Sequence, residues 1–204
     1  MDITPDKQRM DSLMVAANIR NLSLLELFYT CVANLCKIMD GRGTKIPDEQ
    51  HHYIEKDDYN KCIYHKRDMD ATERTVIVMK DADILIKICD STGDFDDTSE
   101  YQLLIRLLKE RTIIDDDGSR RLRQKEEVEN PSEVLLNPSD PEATFRYKAG
   151  GKHLGYVGNV VEAVGEKSSL VIDYDYQQNT YADNQFMNCL LYTSPSPRDG
   201  LLSR

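Results

Sequence analysis

Aspartates beside predicted strands are the residues of this chain with the clearest chemical use. Asp11 directly precedes an apolar run, and Asp173 and Asp175 alternate with apolar residues further along the chain. Carboxylate oxygens are the ligands that Mg²⁺ prefers. Two such ions about 4 Å apart can hold the attacking and leaving oxygens during phosphodiester cleavage. This chemistry needs several carboxylates on neighbouring elements, so the position of each aspartate decides its role.

Structural roles are open for each of these carboxylates. Asp140 lies in a Ser-Asp-Pro-Glu segment that predicts a turn with a self-capping aspartate. Asp173 and Asp175 fall on the outward face of a predicted strand, and Asp183 is placed to cap a following helix. Asp11, considered by its own neighbours alone, also fits a surface carboxylate.

Two groups of basic residues are candidates for contact with a polyanion. The first consists of Arg120, Arg121, Arg123 and Lys125, and the second of Arg146, Lys148, Lys152 and His153. The formal net charge of −10 argues against strong DNA binding by the chain alone, because non-specific affinity comes mainly from Lys and Arg that neutralise phosphates. A solvated face is the favoured interpretation of the first group. The second lies in a glycine-rich loop beside the predicted sheet, which leaves both interpretations open.

Composition predicts a water-soluble domain with a packed core. The 204 residues are 40% hydrophobic. No apolar run approaches the roughly 20 residues that cross a bilayer, and no signal-peptide core is present. We therefore expect a cytoplasmic protein without a membrane partner. The five cysteines include no Cys-x-x-Cys pair, which favours reduced thiols and argues against a zinc site.

Local patterns predict three helices. The first begins with the capping-box pattern Ser23–Glu26 and ends near Gly41. The second runs from about Asp70 to just before Gly93, and the third opens at Ser99. We expect the large aliphatic residues of these amphipathic helices to be ordinary core. In the second helix these are Ile77, Ile84 and Ile88.

The remaining patterns predict a turn, a linker and a small sheet. Residues 115–118 read Asp-Asp-Asp-Gly, which is typical of a turn, and the charged stretch 120–130 is expected to be a mobile linker. Residues 10–18 predict a strand, and residues 154–164 and 170–177 predict a β-hairpin. Because the apolar faces of strand and hairpin need a shared core, we expect the strand to lie next to the hairpin.

Three stretches of the chain resemble parts of a bacterial DDE transposase of the insertion-sequence type. They are Arg9–Asn18, Asn137–Phe145 and Gly155–Asp183. The resemblance implies an α/β (α+β) fold, with a partial ribonuclease H-like sheet and a large helical insertion between its first strand and a β-hairpin. It implies four segments: an N-terminal remnant with the first strand (1–22), a mostly helical insertion (23–135), the hairpin with a helix start (136–189) and a tail (190–204).

The same resemblance implies a catalytic role for Asp11. Such transposases use three carboxylates and Mg²⁺ to cleave and join DNA at transposon ends, and the complete enzymes act as homo-oligomers. Asp11 matches the first carboxylate and hence a metal ligand, whereas the positions of the second Asp and the Glu are missing. We therefore expect an internal fragment that is inactive by itself. Arg146, Lys148, Lys152 and His153 are its candidate DNA-binding residues.

The chain departs from the family after Phe186. Residues 190–204 contain a Ser-Pro-Ser-Pro stretch that breaks a helix, and they resemble the translated read-through of a sequencing adaptor. We expect this tail to be extended and exposed. Two other interpretations remain: a small acidic α/β protein-interaction module that binds through helices 23–39, 72–89 and 99–111, or another ribonuclease H-like nuclease.

Overall fold

A computed structural model describes residues 8–65, 69–148, 150–165, 168–182 and 184–186. The predicted tail and Asp183 lie outside these residues. The chain is a mixed α/β protein with small antiparallel sheets. Its contacts divide it into two compact units, one of residues 19–142 and the other of residues 1–18 with 143–204. The predicted helical insertion, 23–135, falls within the first unit.

The helices and strands follow one another in chain order. The strands are β1 (Gln8–Ala16), β2 (Thr112–Ile114), β3 (Arg120–Leu122), β4 (Thr144–Lys148), β5 (Gly151–Val164) and β6 (Ser169–Gln178). The helices are α1 (Leu24–Gly41), α2 (Asp58–Asn60), α3 (Ala71–Thr92) and α4 (Ser99–Arg111). Two 3₁₀ helices, Asp48–Ile54 and Lys125–Glu127, and a π-helical turn, Lys61–His65, complete the described elements.

Strand β5 is the centre of the larger sheet. β1 pairs antiparallel with it along one edge, from Ala16 opposite Gly155 to Gln8 opposite Ala163. β4 pairs with the beginning of β5 along the other edge, and β6 pairs with the remainder. The predicted position of the first strand beside the hairpin is thus confirmed, and the strand covers residues 8–16.

Gly155 is required where β1 ends against β5. Its φ of +136° is a conformation that L side chains rarely adopt, and an added Cβ would lie 2.3 Å from the Val15 carbonyl oxygen. Only a residue without a side chain permits this approach of the two backbones.

A β-bulge in β6 changes the predicted alternation of the hairpin. The register shifts between Val161, opposite Asp173, and Glu162, opposite Val171. One extra residue reverses which side chains share a face, so the expected single apolar face of β6 is wrong. Its large apolar side chains are exposed, namely Leu170, Val171, Ile172, Tyr174 and Tyr176.

Helix α1 lies at the centre of the helical unit. The predicted capping box is confirmed: the Ser23 hydroxyl accepts a hydrogen bond from the Glu26 amide, and the Glu26 carboxylate accepts one from the Ser23 amide. Five residues of α1 are completely buried: Phe28, Val32, Leu35, Cys36 and Met39. α3 and α4 pack against this helix with their own buried leucines.

Helix α3 has the predicted extent but buries a different face. Asp70 caps it with hydrogen bonds to the amides of Thr72 and Glu73, and it ends before Gly93. Ile77 and Ile84 are 42% and 40% exposed, so the expectation that they form core is wrong. The buried face of α3 is formed instead by Thr75, Val78, Met79, Ala82, Leu85 and Cys89.

The charged stretch 120–130 is ordered, and the prediction of a mobile linker is wrong. The Asp115–Gly118 turn is confirmed, with Gly118 at φ +81°, and it joins β2 to β3. Arg120 Nε lies 2.8 Å from Asp83 Oδ1, and Arg121 forms ion pairs with both Asp115 and Glu127. The first basic group is therefore largely engaged within the protein.

None of the helices in the described part of the chain is both long enough and apolar enough to span a membrane.

Candidate functional site

Asp11 lies near the middle of β1 with its side chain exposed. It stands opposite Val160 of β5. On the same face, one pleat along the strand, Arg9 Nη2 donates to Glu162 Oε2 at 2.8 Å. The Asp11 side chain has no hydrogen-bond or ion-pair partner among the residues that the structure describes. The strand thus presents an accessible carboxylate on a regular backbone.

The other strand carboxylates lie on the opposite face of the sheet. Asp173 stands opposite Val161 and Asp175 opposite Asn159, whereas Asp11 stands opposite Val160. Successive side chains of a strand point to opposite faces, so the register separates Asp11 from both. Each of the two accepts a hydrogen bond from the backbone amide of the next residue, at 2.8 and 2.7 Å. They act as local backbone acceptors here.

Asp140 lies in a loop, as the sequence predicted. The side chain of Asn137 also contributes to this loop. The Ser139 amide donates to Asn137 Oδ1 at 2.9 Å, and the Asn137 amide group donates to the Arg20 carbonyl oxygen at 2.9 Å.

The residues around Asp11 do not fit a two-magnesium centre. Within the described part of the chain, Asp11 belongs to no group of three or more potential ligands with their donor atoms close together. Two Mg²⁺ ions need several oxygen ligands in a fixed geometry, and one exposed carboxylate supplies too few.

The second basic group lies on the hairpin formed by β4 and β5. Arg146 stands directly opposite His153, and Lys148 stands opposite Gly151, so these three cations or potential cations share one face. Lys152 stands opposite Tyr147 and faces the other way. All four residues therefore lie on one hairpin, but three side chains point to one face of the sheet and the fourth, Lys152, points to the other.

Aromatic rings line the Lys152 face of this hairpin. The Lys152 ammonium nitrogen lies 4.2 Å from the centre of the Phe145 ring, a cation–π contact. Tyr147 packs edge-on against Phe145 and is 71% exposed. One face of the hairpin is thus basic, and the other combines an exposed aromatic ring with one ammonium group.

A cluster that the sequence interpretation missed lies in the helical unit. His52, Asp58 and Cys62 bring one donor atom each within 4.8 Å of one another. Asp58 Oδ2 lies 2.8 Å from His52 Nδ1, and the Cys62 thiol donates to the same oxygen at 3.4 Å. The Tyr29 hydroxyl also donates to it, at 2.5 Å. We name these four residues the Asp58 cluster.

Electrostatics favour an ionised Asp58 within the cluster. Burial raises the pKa of Asp58, but hydrogen bonds from Tyr29, His52 and Cys62 outweigh burial and bring its pKa below the ordinary value. Burial and the contact with Asp58 raise the pKa of Tyr29, which therefore remains a hydrogen-bond donor at neutral pH. The only sequence signal for the cluster was His, Asp and Cys within one short, otherwise irregular segment.

The chain was compared with models of protein families, with curated proteins and with solved structures, and none of them matches it.

Proposed function

We propose that the chain is part of a DDE transposase and contains the first strand and first carboxylate of its ribonuclease H-like catalytic domain. The observation that carries the proposal is the environment of Asp11. The residues around it resemble the family, and they form a strand that pairs with the hairpin later in the chain, as the need of both for a shared core predicted. The carboxylate is exposed and has no partner among the described residues, which is consistent with a ligand position that other residues must complete.

In this proposal the chain binds DNA weakly and does not cleave it alone. Arg146, Lys148 and His153 can meet phosphate oxygens from one face of the hairpin. Asp11 holds one metal-ligand position, and the second Asp and the Glu must come from sequence outside the matched stretches. Without them, most catalytic power is lost, because the members of a catalytic unit act together.

Cleavage assays test the incomplete site. The purified chain is incubated with supercoiled plasmid and Mg²⁺ or Mn²⁺, beside an Asp11→Asn variant. We expect no nicking or joining above background in either protein. Robust cleavage that Asp11→Asn abolishes would contradict the proposal, since other carboxylates of this chain would then complete the site. That result would favour a self-sufficient nuclease.

The genomic sequence past the codon for Phe186 tests membership of the family directly. A downstream strand with an Asp and a helix with a Glu, in the same reading frame, supports the transposase. A stop codon supports the interaction module instead.

The interaction module remains a second candidate because α3 exposes two large aliphatic side chains to solvent. Ile77 and Ile84 are seven residues apart, which places them on one face of the helix, with Lys80 and Asp81 between them. Two aliphatic side chains at this spacing suit a groove on a partner protein. The genomic sequence past the codon for Phe186 distinguishes the interaction module from the transposase.

A further inference from the structure

We propose that His52, Asp58 and Cys62 form a binding site for a divalent transition-metal ion of the Zn²⁺ class. The site lies in the helical unit and does not depend on the function proposed above. It departs from the expectation that cysteine spacing alone gave, because only one cysteine takes part.

The donor set suits Zn²⁺ and not Mg²⁺. One imidazole nitrogen, one carboxylate oxygen and one thiolate sulfur are all common zinc ligands, whereas Mg²⁺ prefers oxygen alone. Tetrahedral Zn²⁺ with bonds of about 2.0–2.3 Å holds its ligand atoms about 3.3–3.6 Å apart. Here Nδ1 of His52 lies 2.8 Å and Sγ of Cys62 lies 3.4 Å from Oδ2 of Asp58. Side-chain shifts of about 1 Å would reach the tetrahedral spacing.

Neighbouring side chains hold two of the three ligands, Asp58 and His52, in place. The Tyr29 hydroxyl donates to Asp58 and would continue to orient its carboxylate, the kind of outer contact that metal ligands require. The His52 ring packs on Tyr53, with centroids 4.1 Å apart, and the Tyr53 hydroxyl is held by Asp81. Tyr29 and Tyr53 are buried in the helical unit, and Asp81 is half-buried there.

There is room for a fourth ligand and a path for entry. A cavity of about 70 Å³ borders two of the three ligands, His52 and Cys62, together with Arg74 and Asp81, and it is large enough for at least one water molecule. His52 is 36% exposed at its side chain, so the ion can enter from solvent. A site with three protein ligands and one water fits these dimensions.

The local backbone is also unusual. Cys62 lies in the π-helical turn Lys61–His65, and such turns are rare and frequent at functional sites. His52 lies in a 3₁₀ helix and Asp58 in the short α2. An ion bound by all three would connect three short helical turns of different type. Binding forms the metal–sulfur bond and releases the thiol proton to solvent.

Cobalt titration of the full reduced chain tests the site, because Co²⁺ replaces Zn²⁺ and its bond to a thiolate produces a near-ultraviolet charge-transfer band. We expect this band in the wild type, its loss on addition of Zn²⁺, and its absence in Cys62→Ser. His52→Gln should weaken Co²⁺ binding at least about tenfold, and Tyr29→Phe about tenfold through loss of the contact that orients Asp58.

Matched neighbours provide the controls. His51→Gln and Asp57→Asn change exposed residues next to the ligands and should leave the band unchanged. Circular dichroism establishes that each variant is folded. A folded wild type without the band at excess Co²⁺ overturns the proposal. A band that persists in Cys62→Ser also overturns it, because another thiol would then be the ligand.

Discussion

At the scale of single residues, the distance to the nearest backbone atom determines how much a substitution changes the stability of the fold. Gly155 and Gly158 lie on the same strand, but their surroundings differ. A Cβ on Gly155 would lie 2.3 Å from a backbone oxygen at positive φ, whereas a Cβ on Gly158 would make ordinary contacts of 3.5–3.6 Å with side chains.

We therefore expect Gly155→Ala to lower the free energy of unfolding by about 3 kcal/mol or more, because backbone must move and the residue is strained. Gly158→Ala, the matched control, should change it by less than about 1 kcal/mol. Urea unfolding followed by circular dichroism measures both. Equal effects would contradict the close approach of β1 to Gly155.

Three buried thiols should be unreactive in the native chain. Burial raises the pKa of Cys31 and of Cys36 to about 12 and that of Cys89 to about 11. A thiol reacts as its thiolate, and this form is present only when the pH approaches these values. Alkylation at pH 8, followed by mass mapping of peptides, should label the half-buried Cys62 much faster than these three. Rapid native labelling of Cys36 would show that α1 is not packed as described.

At the scale of elements, the two faces of α3 make a direct comparison possible. Leu85 is fully buried, and its neighbour Ile84 is 40% exposed. Leu85→Ala should cost about 2–5 kcal/mol through lost burial and the remaining cavity. Ile84→Ala should cost less than about 1 kcal/mol, since little apolar area returns to water. Urea unfolding measures both losses. A larger loss of unfolding free energy in Ile84→Ala than in Leu85→Ala would show that the isoleucine face of α3 is the buried one.

The β4–β5 hairpin gives a second comparison between faces. If Arg146 and Lys148 neutralise phosphates, replacing both by Ala should weaken binding to a short DNA duplex and reduce the slope of log affinity against log salt by about 2. Lys152→Ala should have the smaller effect per residue, because its ammonium group already lies over Phe145. Fluorescence anisotropy across a salt series measures both. A slope that no substitution changes would exclude the hairpin as the contact.

At the scale of the whole molecule, charge limits what the chain can do alone. Its formal net charge is −10, and the arginines of the first basic group are paired with carboxylates or donate to backbone carbonyl oxygens. Any DNA binding must therefore come from a local patch and be strongest at low salt. These contacts also explain why residues 120–130 are ordered, because each arginine binds a neighbouring segment: Arg120 binds Asp83 of α3, Arg121 binds Asp115 and Glu127, and Arg123 binds the Thr112 carbonyl oxygen of β2.

The sequence by itself determined the features that depend on nearest neighbours along the chain. The capping box at Ser23, the helix start near Asp70, the Asp-Gly turn before β3 and the hairpin of β5 and β6 were all predicted. Each depends on hydrogen bonds or backbone angles within a few residues, so the local pattern contains the information. The position of Asp11 on a strand beside that hairpin followed from the need of both for a common core.

Only the tertiary structure decided which faces are buried and which distant side chains meet. The bulge near Ile172 reversed the alternation of β6, and packing against α1 selected Leu85 over Ile84. The Asp58 cluster needs Tyr29 of α1 beside a segment with no regular period, so no spacing rule could reveal it. Strand register and helix rotation are fixed by contacts between residues far apart in sequence, and the local pattern does not contain those contacts.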